Sequence, residues 1–305
     1  MYISAIFAYI MFNTPILFLI FNRPDVTLAV FEQIRKIQPK YLYVAADGPR
    51  ADKEGEAALC RETRAIIEQV DWDCEVKTLF RTENLGSGIG ILESINWFFS
   101  QVEYGIILED DCLPNRSFFL FCDKLLSYYK NDDKIMQISG SNFLLGFYKT
   151  EGYYFSQVPL TWGWATWRRA WEKMDYQMKD YNDKINRFPP ISAIWREHWE
   201  SVISGKIKDA WDFQWYYSIY CSEGVVIHPS VNLVENIGFN SNNATHTFKS
   251  PWWYKFVITK ELSLKTFKSD VEINTKADTF FTTIFSNSMP NFYQRVILKI
   301  RSFLL

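Results

Sequence analysis

The amino-acid sequence predicts an α/β protein, with a mainly parallel sheet covered by helices on both faces and an aromatic-rich second half. Three observations predict it. Apolar runs of strand length alternate with segments of helical periodicity between residues 16 and 108, joined by loops rich in Asn, Asp, Gly or Pro. The first run is continuous rather than alternating, as a strand covered on both faces requires. The chain is 305 residues long with 48% hydrophobic and 22% charged residues and no low-complexity tract, so it can bury a substantial core and sits with ordered proteins.

Residues 16–21 form the first strand, broken by Asn22, Arg23, Pro24 and Asp25. Asp25 is placed to cap a helix over 26–37, in which Val26, Val30, Phe31, Ile34 and Ile37 recur at helical spacing. A strand over 41–46 ends at Asp47, Gly48 and Pro49. A helix over 54–70, a strand over 75–80, a loop over 81–88, a helix over 89–101 and a short strand over 105–108 follow. A sheet wound this way binds its ligand beyond the carboxyl ends of its strands. Four loops therefore gather on one rim: 22–25, 47–50, 84–90 and 109–111.

Residues 117–129 carry helical periodicity and 135–139 form another strand. Beyond about residue 150 the pattern turns aromatic and irregular, which suits an acceptor-binding half with a lid. The organisation expected is a nucleotide-binding half over 14–150, an acceptor half over 151–280 and a basic amphipathic helix over 285–305. That tail sets Arg295, Lys299 and Arg301 among apolar residues, so it suits an anionic membrane surface as well as it suits plain packing. Residues 2–12 are apolar but lack the basic flank and cleavage site of a signal peptide, and Asn13, Thr14 and Pro15 interrupt them. The first ten residues are open to being an upstream-start extension.

Composition excludes several classes. With 33 basic and 35 acidic residues the formal net charge is −2, so no positive field draws nucleic acid. Five cysteines without a C-x-x-C pair indicate neither a disulfide framework nor a zinc site, and a reducing cytoplasm is the compartment expected. Aromatic residues reach 18% with twelve Trp, many of them between Tyr153 and Tyr220; most serve packing, and as a cluster they offer ring faces for sugars.

The chemistry centres on Glu109, Asp110 and Asp111, three adjacent carboxylates at the end of a buried strand. Their mutual repulsion and desolvation oppose folding unless a cation is present. A hard divalent ion, Mg²⁺ or Mn²⁺, relieves that cost and holds a diphosphate with its remaining positions. The Asn84, Leu85, Gly86, Ser87, Gly88, Ile89, Gly90 loop has G-x-G-x-G spacing and only superficially matches a dinucleotide fingerprint. Its glycines let backbone approach a phosphate or ribose, and N–H groups at the next helix start favour an anion.

The order of residues 15–23, Asp47 and Gly48, Arg81 with Asn84, Leu85 and Gly86, then residues 108–111 followed by Pro114, Phe118 and Phe119, resembles glycosyltransferases of the GT-A fold. Within that fold it is most similar to the N-acetylglucosaminyltransferase I type and to bacterial transferases of cell-surface polysaccharide synthesis. The likeness covers residues 14–145 and, more loosely, 160–247. It implies a Glu-Asp-Asp version of the DxD motif, with Asp111 on the metal and Glu109 and Asp110 facing the ribose or donor sugar. It implies that Arg23 and Asp47 help hold the nucleotide, Asp47 accepting from a uracil N–H. Gly163, Trp164 and Trp171 resemble the family's segment under the acceptor site, and Trp211 with Asp212 its Trp-Asp step carrying the catalytic base.

An inverting transferase needs such a base, because the acceptor hydroxyl loses its proton as it attacks. Asp212 is the first candidate, with capping of a helix beginning near Phe213 as the alternative role; Asp209 is the substitute. His246, in a late loop, is a candidate metal ligand or diphosphate contact, while His198 and His228 are expected to be structural. The expected reaction moves a sugar from a nucleotide-diphosphate donor, a UDP-sugar, to a glycan or lipid-linked acceptor, with the protein expected in the cytoplasm and open to peripheral contact with the inner membrane face. Retention is the runner-up, followed by a nucleotide-sugar hydrolase or nucleotidylyltransferase and by a carbohydrate-binding module without chemistry. A nucleotidylyltransferase usually carries a glycine-rich basic loop after its first strand, where this chain has Asn22, Arg23, Pro24 and Asp25.

Overall fold

A computed structural model describes residues 11–239, 250–285 and Val296. Residues 1–10, His246 and most of the tail expected to form a basic helix lie outside the described residues.

The first half runs β1 (Ile16–Ile20), α1 (Pro24–Ile37), β2 (Tyr41–Ala46), α2 (Glu56–Ala65), β3 (Glu75–Phe80), α3 (Gly86–Phe99) and β4 (Tyr104–Glu109). These strands pair in parallel in the order β3-β2-β1-β4. All five residues of β1 are buried, which explains its unbroken apolar run. Helix α1 starts two residues earlier than an Asp25 cap would place it. Pro24 occupies the first turn, where its missing N–H costs nothing, and Asp25 lies inside the helix.

The chain continues through β5 (Cys112–Pro114), α4 (Arg116–Tyr128), β6 (Ile135–Ser139), β7 (Tyr153–Ser156), β8 (Trp164–Trp167), α5 (Arg168–Trp171) and α6 (Tyr181–Lys184). It ends with α7 (Ala193–Ile203), α8 (Asp212–Cys221), β9 (Val225–Pro229), β10 (Val234–Asn236) and α9 (Thr275–Phe285). Asn115 caps α4, its side chain accepting from the Phe118 N–H at 3.1 Å.

Among the described residues one eight-stranded sheet has the order β3-β2-β1-β4-β8-β6-β9-β7. Strand β8 is antiparallel to both neighbours and β7 is antiparallel to β9, while the other pairings are parallel. The α/β architecture with a mainly parallel sheet is as the sequence predicted. The irregularity expected beyond residue 150 is not: β7, β8 and β9 extend the same sheet. Their four- or five-residue runs are buried throughout and too short to show a period.

A separate ribbon pairs β10 antiparallel to β5, Asn236 opposite Cys112, which brings the 234–238 segment beside the acidic run. Helices cover both faces of the main sheet, and each face has its own buried cluster. No helix among the described residues is long and apolar enough to cross a membrane.

Candidate active site

The four rim loops open onto one cavity of ≈ 530 Å³, and Asn22, Arg23, Asp47, Arg50, Asn84, Gly86 and Glu109 to Asp111 line it. The opposite wall is built from Thr161, Trp162, His198 and the 209–213 segment. Parallel strand ends supply the first wall, as the winding of the sheet requires. The short α7 and α8 supply much of the second.

Glu109 closes β4, and Asp110 and Asp111 follow in the turn to β5. A protein cation is already present. The Arg23 guanidinium, at the exit of β1, donates from Nε to Asp110 Oδ2 at 3.1 Å, from Nη2 to Asp110 Oδ1, and from Nη2 to Asp111 Oδ2 at 3.0 Å. Such a fork holds two carboxylates in fixed geometry. Burial works against the Arg23 charge, but Asp110 and Asp111 outweigh it and hold the guanidinium more firmly protonated than usual. Burial pushes the Asp110 carboxyl up to about 6 despite the pull of Arg23. Glu109 is pushed well above the usual carboxylate range, first by burial and then by the charges of Asp111, Asp110 and Asp212.

The remaining Asp111 oxygen, Oδ1, receives the Cys112 thiol at 3.6 Å. The Ile237 N–H donates to the Asp111 carbonyl at 2.8 Å, and Gly238 packs so closely on the Asp111 carboxylate that a side chain there would collide with it. Among the described residues no group of three or more His, Cys, Asp and Glu forms a ready cation cage. Carboxylate oxygens are nevertheless hard donors, and Mg²⁺ is commonly held by one or two carboxylates with substrate phosphates completing its shell. The residues present fit a cation of that kind and not an all-protein site.

The glycine loop is built differently from the sequence expectation. Asp47 accepts from the Gly48 N–H at 3.0 Å, from Leu85 N–H at 2.9 Å and from Gly86 N–H at 2.9 Å. Burial raises the Asp47 pKa from its ordinary value, against the pull of those three donors. The Asn84 side chain donates to the Gly48 carbonyl at 2.8 Å, stapling the two loops. Gly48 is required there, because a Cβ would strike the Glu83 backbone. Asp209 reaches across from the other wall and accepts from the Ser87 N–H at 2.8 Å and from the Gly88 N–H. The N–H groups expected to meet a ligand anion therefore meet two protein carboxylates. Gly88 faces Tyr176 and Ala210, not the cavity.

No family model matches the chain, and no curated protein matches it. Solved structures give distant likenesses only. A cytidylyltransferase from Leptospira borgpetersenii is 12% identical with a TM-score of 0.34, over 54% of this chain and 64% of that one. A 4-diphosphocytidyl-2C-methyl-D-erythritol synthase from Anaerococcus prevotii is 11% identical with a TM-score of 0.35, over 80% of this chain and 96% of that one. This chain thus spans less than two thirds of the first structure's length. Likenesses this distant carry no conclusion about activity.

Asp212 is the first residue of α8, with Trp211 in the cap position, and its Oδ1 accepts from the Phe213 N–H at 2.9 Å. Its charge reaches both Glu109 and the buried Tyr216, whose hydroxyl meets Thr161 Oγ1 at 3.1 Å. Asp212 and Glu109 thus line the same cavity, near enough for the charge of Asp212 to bear on Glu109. Asp209, the substitute base, has its carboxylate engaged by backbone donors. Trp164 and Trp171 are buried core residues, and Trp162 and Trp211 are the tryptophans that line the cavity among the described residues.

His228 is structural as expected: it is buried, with its ring nitrogens 3.0 Å from the Ser141 carbonyl and 2.8 Å from the Val158 carbonyl. His198, also expected to be structural, lines the cavity, its ring tilted 34° to that of Phe213 with centroids 4.5 Å apart. Its position in chain carries no motif; only the fold of α7 against α8 brings it there. Arg50 and Asn22, both on Glu56, are further lining residues from two of the predicted rim loops, not assigned a role of their own in the sequence.

Proposed function

We propose that the chain is a glycosyltransferase moving a sugar from a nucleotide-diphosphate donor, a UDP-sugar, to a hydroxyl of a glycan or lipid-linked acceptor, with inversion. The observation that carries this reading is the pair of acidic walls: Glu109, Asp110 and Asp111 with Arg23 on one side, Asp212 on the other, across one cavity. Inversion needs a base on the face opposite the leaving diphosphate, and this arrangement provides two distinct acidic stations.

In this reading Asp212 accepts the proton of the acceptor hydroxyl as its oxygen attacks the anomeric carbon, and the bond to the diphosphate breaks on the far side. Arg23 keeps Asp110 and Asp111 aimed. Asp47 orders the Asn84 to Gly86 loop at the nucleotide end; the Leu85 N–H is shared between its two oxygens, so a uracil N–H would take the place of one of those shared contacts. Asp111 is the group that would hold Mg²⁺ or Mn²⁺, which when bound supplies positive charge to the leaving diphosphate.

The test is UDP-sugar turnover with and without Mn²⁺ in wild type and in Asp212→Asn. The variant is expected to bind UDP as wild type does and to transfer ~10²–10⁴ times more slowly, the usual scale of a general base. Near-normal transfer in Asp212→Asn hands the proton to another residue. Pyrophosphate release from CTP or UTP with a sugar phosphate, and no UDP-sugar turnover, would replace sugar transfer by nucleotidyl transfer.

A further inference from the structure

We infer that Asp209 is a positioning residue: it ties the first turn of α3 to the start of α8 and so sets where Asp212 stands relative to Glu109 across the cavity. The inference rests on the reading of Asp212 as the base.

The tie is made of several bonds at one residue. The Asp209 carboxylate accepts from the Ser87 N–H at 2.8 Å and from the Gly88 N–H, and the Asp209 carbonyl accepts from Ser87 Oγ at 3.1 Å. A carboxylate suits this seat, because the first N–H groups of a helix have no partner within it and the helix dipole favours negative charge. The loop is shaped to admit it. Gly86 has φ +81°, and a Cβ on it would lie 2.8 Å from the Asp209 carboxylate; a Cβ on Gly88 would lie 2.7 Å from the Tyr176 hydroxyl and 3.0 Å from Asp209 Oδ1. The glycines at 86 and 88 are thus explained by the close approach of a protein side chain.

From that seat to Asp212 the chain has no slack. The Ala210 carbonyl accepts from Gln214 Nε2 at 2.9 Å. The Trp211 ring stacks on Trp164 at 5.7 Å and 23°, and its carbonyl accepts from the Trp215 N–H at 3.1 Å. The segment between α7 and Asp212 has no regular structure of its own, so its placement comes from these anchors. Asp209 alone among them bonds to the strand-end wall. Misplacing a reacting group by about 1 Å costs up to about 10² in rate without loss of the group itself.

The experiment combines steady-state kinetics with amide hydrogen exchange on Asp209→Ala, Asp209→Asn and Gly86→Ala. Asp209→Ala is expected to lower kcat about ten- to hundredfold with KM for the UDP-sugar unchanged, and Gly86→Ala, which crowds the same seat, to lower kcat by a similar factor. Asp209→Asn keeps one acceptor oxygen, falls in between, and replaces the alanine variant if that does not fold. Exchange, read on the protein without substrate, is expected to rise together in 86–90 and 209–216. Unchanged kcat, an effect confined to the UDP-sugar KM, or faster exchange in 86–90 alone overturns the inference. If exchange rises in both segments while Asp212→Asn transfers normally, the tie stands and the assignment of the base falls.

Discussion

The two faces of the central sheet are packed with different chemistry. On one, Val30, Phe31 and Ile34 of α1 and Phe118, Phe121 and Leu125 of α4 close over Phe18, Val44, Ile106 and Leu108. On the other, Trp164, Trp171, Trp195, Trp199, Trp211 and Trp215 belong to one cluster with Tyr216 and Tyr217. The first face is covered by two helices of thirteen or fourteen residues, the tryptophan face by α3 and by shorter helices, two of them of only four residues. Short helices bury little area each, and large rings compensate by bridging several of them. The strand-end wall of the candidate site is anchored in the parallel strands between these faces, whereas Asp209, Asp212 and His198 depend on the tryptophan face.

Breaking each face separately should show the contrast. Trp215 is fully buried, and its indole N–H donates to Gln137 Oε1 at 2.9 Å. Trp215→Ala is expected to cost ~3–5 kcal/mol, since it leaves a cavity among rings and orphans a buried amide oxygen. Ile34→Val, on the face covered by α1 and α4, is expected to cost ~0.5–1.5 kcal/mol. Denaturant midpoints compare the two. Equal costs would mean that the tryptophan face is held by its backbone connections and not by ring packing.

The same division governs what the sequence reveals. Strands β1 to β4 and helices α1, α3 and α4 are legible, because 14-residue helices and buried strands impose periods that a sequence displays. The four rim loops follow from them, and all four line the cavity. Strands β7 to β9 are not legible: runs of four or five residues buried throughout have no period. The Asp209 seat is invisible for another reason. A glycine-rich helix start signals that an anion sits close, but not whether the anion is a ligand or a carboxylate 121 residues away. Arg23 as partner of the acidic run is equally a product of topology, since only the pairing of β1 with β4 brings residue 23 beside residues 110 and 111.

The strand-end wall should respond to charge where the tryptophan face responds to volume. Arg23→Ala removes the cation from Asp110 and Asp111, whose side chains are only 7% and 13% exposed. Breaking a fully buried pair costs ~3–5 kcal/mol, and solvent at this rim lowers the expectation to ~2 kcal/mol. Adding Asp110→Asn to Arg23→Ala should recover part of the loss, because one of the unpaired carboxylates disappears. A double-mutant cycle in urea measures the coupling. Strict additivity would show that the fork contributes geometry and no net stability.

The smallest expected effect lies on the tryptophan side of the cavity, at His198. Burial between Trp195 and Phe213 lowers its pKa below the ordinary 6.5, against the opposing pull of Glu197. A base whose pKa is depressed by folding binds its proton more readily when unfolded. The stability it contributes is therefore present above pH 6.5 and is lost as the pH falls through 6.5 toward the folded value. Wild type should lose stability over that window, and His198→Gln should lose less, with a difference smaller than that of Arg23→Ala. The measurement is the urea midpoint from pH 7.5 down to pH 5 for both proteins. Parallel curves would mean that the imidazole is protonated as easily beside Phe213 as in the unfolded chain, and that this wall of the cavity is wetter than its ring packing implies.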